Sequence, residues 1–192
     1  MKIPIEVSAR HVHLSKDVLE LIFGKGYSLR VKKNLSQPGQ FLSEEKIDII
    51  VGKQELRNVS VLGPERDKTQ IEISMTDARK LKINPVIRES GNLSGSTGCT
   101  LRGPKDTINV KEGLIVAKRH IHMKPEDASK FKVLDGEVHF LKTEASERFL
   151  IFGEIIIRVS NSYSLAAHID TDESNASGIT EGAYGILVYN RN

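Results

Sequence analysis

The chain has 192 residues, 39% hydrophobic and 28% charged, with a formal net charge of +3, so it can bury a full core as one domain or two small ones and is not bulk disordered. Aromatic residues make up 5%, tryptophan is absent and no long Lys/Arg block occurs, which argues against a nucleic-acid stacking platform; a small anionic ligand suits the mild basicity. No apolar run approaches the roughly eighteen residues that span a bilayer, the lone Cys99 excludes an internal disulfide framework and a Cys-rich structural metal site, and Met1-Lys2-Ile3-Pro4 leaves no room for a secretory signal, so a cytoplasmic address is expected.

In chain order, Ile5-Glu6-Val7 reads as a strand leading into Arg10-His11-Val12-His13, and a helix is expected over Lys16 to Phe23. Strands are expected over Tyr27 to Val31, Ile47 to Val51, Val59 to Leu62 and Thr69 to Ile73. The Pro-Gly turn in Ser36 to Leu42 marks an insertion loop near 36–46. A helix follows over Thr76 to Leu81, opening on a Thr-Asp cap, and then the Gly/Ser-rich stretch Arg88 to Ser96, whose backbone N–H groups could cradle a phosphate although it matches no P-loop spacing. Strands at Thr107 to Val110 and Leu114 to Val116 lead into Arg119-His120-Ile121-His122, followed by a helix over Pro125 to Phe131 with proline near its first turn. Strands over Glu137 to Leu141, Phe149 to Val159 and Gly185 to Tyr189 complete the set. The fold expected is mostly β, with two small closed barrels and short α-helices.

Arg-His-hydrophobe-His thus occurs twice and holds four of the chain's six histidines. In an extended backbone the side-chain period is two, so both imidazoles of each copy point to one face and form half of a metal site. The order strand, motif, short helix, Gly-containing turn, strand runs from Val7 to Val31 and again from Val116 to Phe140. The internal repeat divides the chain into halves 1–106 and 107–192, with exchange of strands across that boundary allowed. The halves meet again at Gln70 to Asp77 and Ala166 to Glu173, which aligns Glu72 with His168. Five histidines and one glutamate exceed the three protein ligands usual for one catalytic zinc, so two metal ions are expected; imidazole suits zinc, copper, iron and nickel alike. Arg10 and Arg119 face away from the histidines on an extended strand and are expected in ion pairs. His139 is read as structural, and Cys99, with no base beside it, is not a nucleophile.

Taken together, Val7-Ser8-Ala9-Arg10-His11-Val12-His13-Leu14-Ser15, Val61-Leu62-Gly63-Pro64, Gln70-Ile71-Glu72-Ile73-Ser74, Ala117 to Met123 and His168 to Glu173 resemble the PduL-type phosphate propanoyltransferases, zinc-dependent phosphotransacylases associated with bacterial microcompartments. The resemblance runs from Val7 to about Ala176 with the motifs in family order. It implies a bacterial enzyme with two β-barrels and a dinuclear zinc site between them. By that resemblance His11 and His13 hold one zinc, whose open position accepts the sulfur of coenzyme A, and Glu72, His120, His122 and His168 hold the other. Arg66 matches the family arginine that contacts phosphate. The implied reaction converts propanoyl-CoA or acetyl-CoA plus phosphate reversibly into the acyl phosphate plus coenzyme A, as in propanediol degradation. Only six residues precede Val7, whereas family members that dock to a microcompartment shell often carry an N-terminal extension, so a free cytoplasmic enzyme or a chain trimmed at its N-terminus is expected, with a microcompartment location and shell partner left open; a homodimer is the expected oligomer, with no membrane or nucleic-acid partner. Two other readings use the same ligands: a zinc hydrolase of a thioester, ester or amide, and a metal-stapled binding module without catalysis.

Overall fold

The structure, a computed structural model, describes residues 1–144 and 147–190. In chain order its first elements are β1 (Lys2–Ser8), β2 (His11–His13), α1 (Lys16–Phe23), β3 (Val31–Asn34), β4 (Phe41–Val51), β5 (Gln54–Gly63), β6 (Gln70–Glu72), α2 (Met75–Leu81), β7 (Val86–Arg88) and β8 (Thr97–Arg102). There follow β9 (Thr107–Ala117), β10 (His120–Met123), α3 (Pro125–Phe131), β11 (Val138–Thr143), β12 (Ile151–Val159), β13 (Ala166–Asp170), α4 (Thr171–Ser177) and β14 (Tyr184–Val188).

The chain forms two compact units, Ala9–Ala117 and Met1–Ser8 with Lys118–Asn192. In the first, β4, β5, β2, β6 and β9 pair in that order, and β8 pairs with both β4 and β9, closing a six-stranded barrel from which β3 and β7 extend. In the second, β1, β13, β10, β12, β11 and β14 close the ring. The two rings share one pairing scheme. β2 runs parallel to β5 and antiparallel to β6, as β10 does to β12 and β13. β6 runs parallel to β9, as β13 does to β1. The leading strand of each sequence repeat therefore belongs to the other repeat's barrel. A cut at 106/107 separates the repeats in sequence but not the barrels, because β9 pairs with β6, β7 and β8.

Local chemistry accounts for most elements. Leu19, Ile22 and Phe23 form the buried stripe of α1, which stops at Gly24 with φ 115°, a conformation glycine adopts without strain. Pro125 opens α3, where its missing N–H costs no helical bond. Leu114, Ile115 and Val116 are all buried, so both faces of β9 are covered there, which accounts for a continuous apolar run in place of alternation. The core of the first barrel is built on Val12, Leu14, Ile49, Val61, Ile71 and Leu114, and that of the second on Ile3, Ile121, Met123, Leu141, Ile157 and Ala167.

Some local expectations are corrected. Tyr27 to Arg30 is not a strand: the Tyr27 hydroxyl and the Arg30 backbone N–H donate to Glu45, at 2.7 and 3.2 Å, and regular pairing begins only at Val31. Phe149 and Leu150 precede β12, which begins at Ile151. The helix expected from Thr76 starts at Met75, because the Ser74 hydroxyl, two positions before the expected Thr76 cap, accepts the Asp77 backbone N–H at 3.2 Å. α4 lacks an apolar stripe and was not expected; a capping box of Asp170 and Glu173, both bonds 2.8 Å, starts it instead. Among the described residues no helix is long and apolar enough to cross a membrane.

Candidate metal centre

Among the described residues, each barrel carries one group of three side chains able to hold a metal ion. In the first unit His11 and His13 project from β2 and Glu72 from β6, and the ladder places His11 directly opposite Glu72. In the second, His120 and His122 project from β10 and His168 from β13, with His120 directly opposite His168. The alignment of Glu72 with His168 is therefore a register identity. Within each group the ligand atoms all lie within 4.8 Å of one another. Tetrahedral bonds of about 2.0–2.2 Å set ligand atoms about 3.4 Å apart, and His11 Nε2 stands 3.6 Å from Glu72 Oε2. In the second group the ring centroids are separated by 4.6, 4.9 and 4.8 Å.

The backbone sets the imidazole tautomers. His11 Nδ1 lies 2.8 Å from the Ala9 carbonyl oxygen, and His120 Nδ1 lies 2.9 Å from that of Lys118. A carbonyl only accepts, so both rings carry a proton on Nδ1, which leaves Nε2 as the ligand atom whenever the ring is neutral, the arrangement seen when an outer partner orients a metal-bound histidine. His13 is buried and its Nδ1 has no hydrogen-bond partner among the described residues, which is costly for a polar atom unless a ligand satisfies it. Burial, then the positive charges of His11 and Arg66, hold His13 well below its usual titration range, so it is neutral near pH 7. Burial alone would raise the Glu72 carboxyl, but His11, His13 and Arg66 outweigh it and hold the group far below the ordinary range. For His11, burial opposes charging and the Glu72 carboxylate more than offsets it, so its pKa rises. The first group is a His-His-carboxylate set and the second is three imidazoles; both fit a borderline cation such as zinc.

Within its own unit Glu72 stands with His11 and His13. Glu72 lies on β6, whose ladder partner is β2, and its carboxylate faces His11.

Arg66 lies beside the first group. Its backbone N–H donates to the Leu14 carbonyl at 2.9 Å, and its side chain lines a cavity of about 200 Å³ together with His13, Pro38, Gly39, Gln40, Gly63 and Pro64. That volume is below the roughly 300–1,000 Å³ of sites for larger organic ligands and suits a small anion. The insertion loop thus forms one wall. Arg66 Nη1 donates to Ser90 Oγ at 3.1 Å, and Gln70 Nε2 donates to the same hydroxyl at 2.8 Å and to Glu72 Oε1 at 2.5 Å. Gln70 Oε1 in turn accepts the Gly91 backbone N–H at 2.7 Å. Gln70 was missed in the sequence, although its position two residues before Glu72 on an alternating strand puts both on one face. Glu6 was missed too: it lies opposite His168 in the β1–β13 ladder, with Oε2 3.8 Å from His168 Nδ1.

Other expectations have defined outcomes. Arg10 pairs with Asp77, and Arg119 with Glu173 at 3.3 Å. His139 sits 3.1 Å from Glu137 and packs edge-on against Tyr189, with no other metal-ligating group around it among the described clusters. Burial pushes the Cys99 thiol up to about 12, which removes it as a nucleophile.

A family model described as phosphate propanoyltransferase matches residues 4–180. The phosphate propanoyltransferase of Enterococcus faecalis is 47% identical over 184 residues, covering 96% of this chain and 87% of the relative. That of Lachnoclostridium phytofermentans is 49% identical over 181 residues, covering 94% and 84%. That of Thermotoga maritima is 45% identical over 178 residues, covering 93% and 85%.

Proposed function

Because the chain belongs to the phosphate propanoyltransferase family and is a phosphate acyltransferase, we propose that it interconverts propanoyl-CoA or acetyl-CoA plus phosphate with the acyl phosphate plus coenzyme A, using two zinc ions per chain. The observation that carries the zinc assignment is the duplicated ligand geometry: two His-x-His strands, each with a third ligand directly opposite its first histidine. His11, His13 and Glu72 would hold one ion, and His120, His122 and His168 the other. Bound zinc supplies Lewis acidity and affinity for a thiolate.

The chain's own residues supply binding and orientation. In the forward direction a phosphate oxygen attacks the thioester carbonyl, a C–O bond forms, the C–S bond breaks and coenzyme A leaves as the thiolate. Phosphate must be held in line for that attack, and orientation is worth about 7–11 kcal/mol in well-aligned systems. Arg66 holds it, since its planar fork binds two phosphate oxygens and stays charged at any working pH. Ser90 and Gln70 keep the guanidinium and the Glu72 carboxylate in register. Pro38, Gly39 and Gln40 of the insertion loop line the cavity with Arg66 and His13.

The test measures thiol release from propanoyl-CoA and acetyl-CoA with and without phosphate, acyl phosphate formation, and zinc content by elemental analysis on one sample. Thiol release that requires phosphate and yields acyl phosphate, at two zinc per chain, is the expected result. Thiol release without phosphate identifies a hydrolase, and a metal-free active protein ends the zinc assignment.

A further inference from the structure

The two ion pairs that follow from the Arg-His-x-His motifs share more than a position in sequence. Arg10 immediately precedes His11 on the strand-entry side of β2, and its guanidinium pairs with Asp77 Oδ1. Asp77 is the third residue of α2, and its other oxygen, Oδ2, accepts the Ser74 backbone N–H at 3.5 Å in the capping box of that helix. Ser74 follows Glu72 by two residues. In the second barrel Arg119 immediately precedes His120 and pairs with Glu173 Oε1 at 3.3 Å. Glu173 is the third residue of α4, and its Oε2 accepts the Asp170 backbone N–H at 2.8 Å in the equivalent capping box. Asp170 follows His168 by two residues. One carboxylate oxygen thus caps the helix and the other holds the arginine, twice, at two ligand groups of different composition.

The ladders these pairs abut are short. β2 and β6 share three paired positions, His11 with Glu72, Val12 with Ile71 and His13 with Gln70. β10 and β13 share three as well, and in both cases the first histidine and the third ligand form the terminal pair. A terminal pair is where a ladder frays, so the separation of those two ligands depends on what holds the strand ends. We propose that Arg10 and Arg119 are positioning residues: each clamps the motif strand to the helix behind the third ligand, and so sets the distance between that ligand and the first histidine. The inference rests on the reading of both groups as zinc sites, and it goes beyond that reading by assigning the motif arginine, which ligates nothing, a part in metal affinity.

The experiment uses the full chain, stripped of metal and titrated with zinc against a competing chelator. The variants are Arg10→Met, Asp77→Asn and Arg10→Lys for the first group, with Arg119→Met and Glu173→Gln for the second. Asparagine and glutamine keep an oxygen for the capping bond, and Arg10 is half exposed, so these variants retain the fold; circular dichroism of the metal-free forms verifies it. Arg10→Met is expected to weaken one of the two zinc constants about 10- to 100-fold, as loss of an outer partner does elsewhere, and to leave the other unchanged. Asp77→Asn should weaken the same constant, the double variant should lose no more than either single one, and Arg10→Lys should recover part of the loss. Arg119→Met and Glu173→Gln should act on the other constant. A purely structural ion pair would lower the melting temperature of the metal-free chain and leave both zinc constants unchanged, and that result overturns the inference. If the unaltered chain binds no zinc, the metal reading itself fails; unaltered binding in the variants of a chain that does bind two zinc ions sinks only the clamp.

Discussion

Replacement of Arg66 by alanine tests the catalytic reading most directly. The backbone at this position stays in place, because the Arg66 N–H bond to Leu14 and the bridge to Ser15 do not involve the side chain. The loss of the bond to Ser90 Oγ, 3.1 Å long, costs about 0.5–1.5 kcal/mol of stability. His13 stays neutral, since burial rather than Arg66 is the largest influence on it. What disappears is the fork, with two charge-assisted bonds to phosphate of about 1.5–3 kcal/mol each. Taking the lower figure twice gives about 3 kcal/mol, or roughly 150-fold in kcat/KM for phosphate. The assay is the initial rate of thiol release from propanoyl-CoA over a range of phosphate concentrations. Arg66→Lys, which keeps the charge without the fork, should fall between the two. A folded Arg66→Ala chain whose kcat/KM for phosphate stays within threefold of the unaltered enzyme would refute the assignment.

Three further outcomes follow from the packing and the electrostatics. A Cβ at Gly63 would sit 2.1 Å from the Phe41 ring, so Gly63→Ala should destabilise the first barrel by about 1–3 kcal/mol in urea unfolding; an unchanged midpoint would contradict that contact. Cys99, buried and with its thiol pushed up to about 12, should resist iodoacetamide at pH 8 in the native enzyme and react only when denaturant is added. Glu45 is subject to opposing influences: burial would raise its carboxyl, but the Tyr27 hydroxyl and backbone N–H groups outweigh it and lower the pKa from 4.5. A depressed folded-state value contributes stability above the unfolded pKa and loses it as pH falls through the folded one. Glu45→Gln should therefore cost about 1–3 kcal/mol at pH 7, with the gap to the unaltered chain closing in thermal melts below about pH 4.5; a gap constant down to pH 3 would rule out this origin.

The elements legible in the sequence are those whose cause lies within a few residues. α1 carries its apolar stripe at Leu19, Ile22 and Phe23, and α3 opens on Pro125, so both occupy the expected bounds. α4 escaped because Thr171 to Ser177 has no such stripe; only the Asp170 and Glu173 box marks it. β8 escaped because Thr97 to Arg102 alternates weakly and is defined by its partners β4 and β9.

The candidate site divides along the same line. The sequence by itself determined the histidine pairs, since the period of an extended chain puts residues two apart on one face whatever surrounds them, and the repeat in which they recur. Only the tertiary structure decided that Glu72 faces His11 across a ladder, that Gln70 and Ser90 join Arg66 to that carboxylate, and that the leading strand of each repeat completes the other's barrel. Those facts depend on strand register between segments tens of residues apart, and register is a property of how the strands pair, which no local run of residues encodes.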